Sequence, residues 1–204
     1  MALWAKDFMN THVRFENILE PGDVVVEVGA CTGEYTVPVS ELLGPSGHIY
    51  AFEVDPLSYR CLKKNIETSH SRSSITIEHR AVSKTDGEIL ELQQQKNSIA
   101  SGTFHGSTTG KTQFSVETVT LDSYFANHPL EKRIKLLKLT VNGHEPEVII
   151  GASRLLTHLN YVTFQSARYA EVIDILKSHG FEIVEEHTLY TNMKSVLLKR
   201  SDLP

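Results

Sequence analysis

Long apolar runs, blocks of like charge, clustered cysteines and paired histidines are all missing from this chain of 204 residues. No stretch approaches the roughly 20 apolar residues that a membrane helix needs. The first segment, Met1 to Phe15, is broken by Lys6, Asp7, His12 and Arg14. It reads as neither a secretory signal nor a membrane span, but as a short amphipathic helix lying over the domain. Lys and Arg never run for more than two residues and the net charge is -5, so a broad electrostatic footprint for nucleic acid is disfavoured. The only cysteines are Cys31 and Cys61. They read as reduced thiols of a cytoplasmic protein, not as a disulfide or metal pair. The ten histidines form no H-x-x-x-H pair and no compact cluster with cysteine, which disfavours a zinc site.

What is present is an ordinary globular composition, 22% charged and 40% hydrophobic. Length and composition predict one domain over residues 1–204, large enough for a substantial core. Strand-like and helix-like segments alternate along it. Val24–Val28 reads as a strand buried on both faces, followed by a helix over Tyr35–Leu43. A second strand over His48–Glu53 leads to a helix over Pro56–Glu67, with Asp55 as its N-cap and Pro56 in the first turn. Ile75 and Ile77 mark a third strand ending near Arg80, and Glu88–Leu92 a shorter one.

The Ser-, Thr-, Gly- and Gln-rich stretch Gln93–Lys111 reads as a surface loop or a substrate lid. Ser115–Val119 alternates like an exposed-edge strand, and Asp122 is placed to cap the short helix after it. Ile134–Thr140 is again a buried strand. Asn142-Gly143 signals a turn, and Pro146 opens a helix to about Leu156. Tyr161–Gln165 is the next strand, and Tyr169–His179 a helix ended by Gly180. Phe181–His187 and Ser195–Lys199 close the chain, with Tyr190–Asn192 near their turn. Such alternation predicts an α/β doubly wound, Rossmann-like sheet that is mostly parallel, with one antiparallel strand at or near an edge. Ligands then bind at the C-terminal strand ends.

The first strand runs into Glu27-Val28-Gly29-Ala30-Cys31-Thr32-Gly33, and the second ends in Glu53. A dinucleotide fingerprint needs a middle glycine that this turn lacks, and no Walker lysine follows. Two carboxylates at neighbouring strand ends suit a cationic nucleoside, which points to S-adenosylmethionine. Glu53 is read as the acceptor of both ribose hydroxyls, since an ionised carboxylate only accepts. Glu27 is read as facing the amino and sulfonium end, with a capping or salt-bridging acid as the alternative. Gly29 and Gly33 serve both turn geometry and close ligand approach. Ala81 and Val82 flank the adenine through backbone groups.

These residues resemble the FkbM-type methyltransferases, a branch of the class I S-adenosylmethionine-dependent enzymes. The glycine loop V-G-A-N-x-G-x-Y-T is matched by Val28-Gly29-Ala30-Cys31-Thr32-Gly33-Glu34-Tyr35-Thr36. The motif A-F-E-P is matched by Ala51-Phe52-Glu53, with Val54 for proline. T-L-D is matched by Thr120-Leu121-Asp122. The late K-I-D-V-E-G-A-E is matched by Lys138-Leu139-Thr140-Val141-Asn142-Gly143-His144-Glu145, with Gly151-Ala152 beyond.

The resemblance implies a mostly parallel seven-stranded sheet with helices on both faces, S-adenosylmethionine as cofactor, and methyl transfer, usually to a hydroxyl oxygen. It is also a departure. Thr140 and Asn142 stand where the family has acids, and Gln165 where the next strand often ends in one. These three can position an acceptor but cannot serve as ordinary bases. His144 in the turn is the candidate base, with an exposed structural histidine as the alternative. Lys138, on one strand face with Thr140, is a candidate orienting cation. The missing carboxylates disfavour a hard cation, so no metal is expected.

The candidate cofactor-binding set is therefore Glu27, Gly29, Ala30, Thr32, Gly33, Tyr35, Glu53, Val54 and Ala81. The candidate catalytic set is His144, Lys138, Thr140 and Asn142. The partner expected is a small-molecule or sugar-like hydroxyl acceptor, with neither membrane nor nucleic acid. A cofactor-binding regulatory domain without transfer is the main alternative, and a nucleic-acid methyltransferase the third.

Overall fold

A computed structural model describes residues 13–70, 73–95, 111–130, 132–190 and 193–203. The N-terminal helix expected from the sequence falls mostly outside them. Phe15–Asn17 forms a single 3-10 turn, and Phe15 is wholly buried, edge-on to the Tyr35 ring at 4.7 Å.

Alternation along the chain produces β1 (Val24–Val28), α1 (Thr36–Leu43), β2 (His48–Phe52), α2 (Pro56–Thr68) and β3 (Ser74–Glu78). Next come β4 (Ala81–Val82), β5 (Ile89–Gln95), β6 (Lys111–Val119), α3 (Leu121–Asn127) and β7 (Ile134–Leu139). The chain closes with α4 (Glu145–Ile150), β8 (Leu159–Ser166), α5 (Tyr169–Ser178), β9 (Phe181–Tyr190) and β10 (Met193–Arg200). The main sheet has seven strands in the order β3-β2-β1-β7-β8-β10-β9. β1, β2, β3, β7 and β8 pair in parallel, while β10 is antiparallel to both its neighbours. The antiparallel strand expected at or near an edge thus lies one place in from it.

The central strands carry apolar residues on both faces because helices cover both sides, with Glu27 in β1 and Lys135 and Lys138 in β7 as the exceptions. Alternate residues serve opposite layers. Val24, Val26, Val28, Leu137 and Leu139 pack with Tyr124, Phe125, Val148, Ile149, Val172 and Leu176 from α3, α4 and α5. Val25, Ile49, Ala51 and Leu136 pack with Val39, Leu43 and Leu62 from α1 and α2. At about 25 cal/mol per Å² of apolar surface removed from water, this double layer is the main stabilising term. The same parity places Glu27 and Lys138 on the α1/α2 face, paired in register across β1 and β7.

Three local expectations change. The Ser115–Val119 segment belongs to the longer β6, which is the middle strand of a separate sheet ordered β4-β6-β5 and not an exposed edge. Its alternation arises because Val116 packs on Ala81 and Leu92 while Ser115 and Glu117 face water. The N-cap of α3 is Thr120, whose hydroxyl accepts the Ser123 N–H at 3.0 Å. Asp122 instead accepts the N–H groups of Arg154 (2.9 Å) and Leu155 (2.8 Å), capping a later 3-10 turn over Leu155–His158. The Pro146 helix stops at Ile150, with Gly151 as its C-cap, and Gly151 passes so close to the Ser83 carbonyl that no side chain fits there. Of the predicted 93–111 loop, the ends extend β5 and β6, and residues 96–110 lie outside the described set. Among the described residues, no helix is long and apolar enough to cross a membrane.

Candidate functional site

An open cleft with about 710 Å³ of empty space lies at the C-terminal ends of β1, β2 and β7. Its walls come from four chain segments. β1 and its turn supply Val28, Gly29 and Cys31; the end of β2 supplies Phe52, Glu53, Val54 and Asp55. Arg80, Ala81 and Val82 close one side, and Thr140, Val141, Asn142 and His144 the other.

The turn after β1 is shaped by backbone bonds. The N–H groups of Gly29 and Ala30 both donate to the Phe52 carbonyl, at 2.9 and 3.0 Å. Gly29 has φ +83°, and a side chain there would collide with the Thr140 carbonyl. Gly33 has φ +93°, and a Cβ would stand 2.9 Å from Leu62 Cδ1. Cys31 adopts φ 54° despite its side chain. Burial, with Glu34 and Glu53 nearby, pushes its thiol up to about 12, so it stays protonated and is no nucleophile at neutral pH.

Glu53 is 6% exposed. Its Oε2 accepts the Cys31 N–H at 2.7 Å and its Oε1 the Asp55 N–H at 2.8 Å. One carboxylate thereby ties the glycine turn to the start of α2. Burial pushes its pKa up, against the opposing pull of these N–H donors. Asp55 caps α2 as expected, accepting the Ser58 N–H at 2.7 Å.

Glu27 lies behind the wall rather than in it. It is fully buried; Oε1 meets Lys138 Nζ at 3.0 Å, and Oε2 accepts from Thr36 Oγ1 at 2.6 Å. The structure displays the salt-bridging alternative for Glu27, whose carboxylate meets the protein's own ammonium and is not among the residues that line the cleft. Burial raises the Glu27 pKa, and Lys138 opposes the rise. Lys138 is likewise behind the wall, 5.0 Å from the Tyr35 ring centroid, and also reaches Thr140 Oγ1 at 3.1 Å. Tyr35 is buried beside this pair, so its phenol is held above its ordinary pKa. Ala30, Thr32 and Gly33 shape the turn without lining the cleft, whereas Gly29, Glu53, Val54 and Ala81 line it.

The loop after β7 is pinned from below. Glu145, fully buried, accepts the N–H groups of Val141 (3.1 Å) and Gly143 (3.3 Å) on one oxygen and the Ser166 hydroxyl (2.7 Å) on the other. Arg168 holds the Gly143 carbonyl at 2.9 Å and both oxygens of Glu147. His144 Nε2 lies 3.0 Å from Ser83 Oγ, and Nδ1 3.7 Å from Glu147 Oε2. Burial lowers the His144 pKa, which keeps it neutral at pH 7. Thr140, Asn142 and His144 reach the cleft; Lys138 and Gln165 do not line it.

The sequence reading passed over Arg80 and Asp55 as wall residues and over Arg168 and Ser83 as supports. The position of Arg80 just after a strand was a usable signal. Nothing local marks Arg168 or Ser83 as supports, since Gly143, Glu147 and His144, which they hold, are distant in sequence. Among the described residues, no group of three or more His, Cys, Asp or Glu side chains could hold a metal ion.

This strand order, with a glycine turn after β1 and an acid ending β2, defines the class I methyltransferase fold. The chain belongs to the FkbM methyltransferase family: the Methyltransferase FkbM domain model matches residues 27–183. No curated protein sequence matches it.

Among solved structures, it is similar to Aeropyrum pernix fibrillarin with natively bound S-adenosyl-L-methionine, at 15% identity and TM-score 0.55, covering 88% of this chain and 67% of that one. It is similar to precorrin-6y C5,15-methyltransferase from Geobacter metallireducens, at 13% identity and TM-score 0.54, covering 90% and 82%. It is also similar to the Methanococcus jannaschii fibrillarin pre-rRNA processing protein, at 13% and 0.55, covering 93% and 70%.

Proposed function

We propose that this protein is a cytoplasmic S-adenosylmethionine-dependent methyltransferase that methylates a hydroxyl oxygen of a small-molecule or sugar-like acceptor without a metal. One observation carries the reading. Glu53 stands in the cleft wall with Oε2 on the Cys31 N–H and Oε1 on the Asp55 N–H, and an ionised carboxylate has further lone pairs with which to accept from a ribose diol. Gly29 also lines the cleft, and its missing side chain lets the Thr140 backbone pack against the turn that would bound the cofactor.

Bound S-adenosylmethionine would supply an electrophilic methyl group for in-line displacement from sulfur. Glu53 would hold the sugar; Val54, Ala81 and Val82 would cover the base; the Gly29–Gly33 turn would bound the methionyl end. The chain's contribution to rate is then mainly orientation in a partly enclosed cleft. His144 takes the acceptor's proton at Nε2, exchanging its Ser83 partner for the acceptor. Glu147 faces Nδ1 and stabilises the imidazolium once the proton has arrived. Glu145 and Arg168 keep the loop that carries His144 in place.

The test is calorimetric titration with S-adenosylhomocysteine, followed by transfer of labelled methyl from S-adenosylmethionine to an acceptor panel. Binding in the micromolar range with transfer to a hydroxyl supports the proposal, and no binding at millimolar ligand overturns it. The neutral β7 loop, with Thr140 and Asn142 where the family carries acids, favours a second reading: a binding domain without transfer. Tight binding with no turnover on any acceptor would select that one. Transfer to RNA or DNA instead would select a nucleic-acid enzyme.

A further inference from the structure

Lys138 decides what Thr140 can offer a ligand. An ammonium group donates and cannot accept, so in the 3.1 Å contact between Lys138 Nζ and Thr140 Oγ1 the threonine oxygen is the acceptor. Lys138 is held in that role by Glu27, fully buried at 3.0 Å, and covered by the Tyr35 ring. The Thr140 hydroxyl hydrogen then finds no acceptor within the protein among the described residues, while Thr140 stands in the cleft wall. A ligand in that cleft is the acceptor left for it.

We infer that Thr140 is a specificity-determining donor that selects an oxygen acceptor over an amine. The inference rests on the proposed cofactor site. With the ribose at Glu53 on β2, sheet order runs through the Gly29 turn on β1 to Thr140 on β7, so Thr140 belongs to the methionyl, methyl-bearing end.

An alcohol oxygen carries two lone pairs. One accepts the Thr140 hydrogen and the other forms the bond to the methyl carbon; the broken carbon–sulfur pair stays on sulfur, and the acceptor's proton goes to His144. A neutral amine has one lone pair. It must choose between the Thr140 hydrogen and the methyl, and an ammonium meets Thr140 donor to donor. The family's acid at this position accepts hydrogens from either acceptor, so Thr140 narrows the site.

The inference is testable without the natural acceptor. S-adenosylhomocysteine presents a neutral sulfur at the reacting position; sinefungin presents an ammonium there on an otherwise similar scaffold. Both are titrated calorimetrically into the wild type, Thr140→Val, Thr140→Asp and the double variant Glu27→Gln/Lys138→Met, which removes the donor to Thr140 without stranding a buried charge.

The wild type should favour S-adenosylhomocysteine. Thr140→Asp should move the ratio toward sinefungin by roughly tenfold or more, the scale of one charge-assisted hydrogen bond. Thr140→Val and the double variant should shift it the same way by less. A wild type that prefers sinefungin, or a ratio unmoved in a Thr140→Asp protein that still binds either analogue, overturns this inference alone. Failure of the wild type to bind either analogue overturns the cofactor reading, and this inference with it.

Discussion

The carbonyl oxygen of Thr140 occupies the space that a side chain on Gly29 would need. Two neighbouring parallel strands thus cross at their C-terminal ends with backbone against backbone, and both residues line the cleft. Gly29 also has φ +83°, a conformation that L side chains rarely adopt. We predict that Gly29→Ala destabilises the fold by about 2–4 kcal/mol, combining a strained φ with a displaced backbone. Urea denaturation of the two proteins measures it. A change under about 1 kcal/mol would mean that the strand ends part more easily than this packing implies.

Glu53→Ala should weaken S-adenosylhomocysteine binding by roughly 1–3 kcal/mol, the usual loss for a charged hydrogen-bonding partner. Glu53→Gln should recover part of this, because its amide oxygen still accepts from one N–H. Calorimetry distinguishes the three proteins. Equal affinities would remove Glu53 from the nucleoside site.

Lys138→Met strands the Glu27 carboxylate, which is fully buried and loses its one cationic partner among the described residues. Breaking a buried pair on one side costs about 3–5 kcal/mol. Glu27→Gln combined with Lys138→Met should be more stable than Lys138→Met alone, since no charge remains to be buried. Thermal denaturation of single and double variants forms the cycle, and a double variant no more stable than Lys138→Met would show that the pair is not coupled.

His144 is held below its ordinary pKa by burial. Below about pH 6.5 the unfolded histidine takes a proton that the folded one resists. Its contribution to stability is therefore complete above that pH and shrinks as pH falls toward the folded value. We predict that His144→Asn flattens this loss between pH 7 and pH 5 and reduces turnover while leaving S-adenosylhomocysteine affinity largely intact. Parallel pH slopes for both proteins would contradict the burial effect; unchanged turnover would contradict the base role.

Much of the sheet was legible in the order of residues. The apolar run Val24–Val28, the acid at Glu53, the Pro56 helix start and the Asn142-Gly143 turn each encode local structure through periodicity, capping or backbone preference. Those signals act over a few residues, so they survive reading in one dimension. Element lengths were less legible where distant groups intervene. Residue 151 must be glycine because its backbone meets that of Ser83, and β6 is central because β4 pairs with it.

The cleft divides in the same way. Gly29, Glu53, Val54, Ala81, Thr140, Asn142 and His144 could be placed in its wall because they follow strand ends, where a parallel sheet leaves its ligand site. Whether Glu27 faces that cleft or the helices behind it was beyond the sequence. The motif is the same either way, and the choice depends on Lys138, 111 residues further along the chain and brought into register only by the pairing of β1 with β7. Motifs and periodicity determined the family resemblance, the alternation of strands and helices and the acid that follows the second strand. Tertiary packing decided which carboxylate lines the cleft and which is committed to a buried ion pair, because burial and pairing arise between segments that share no local signal.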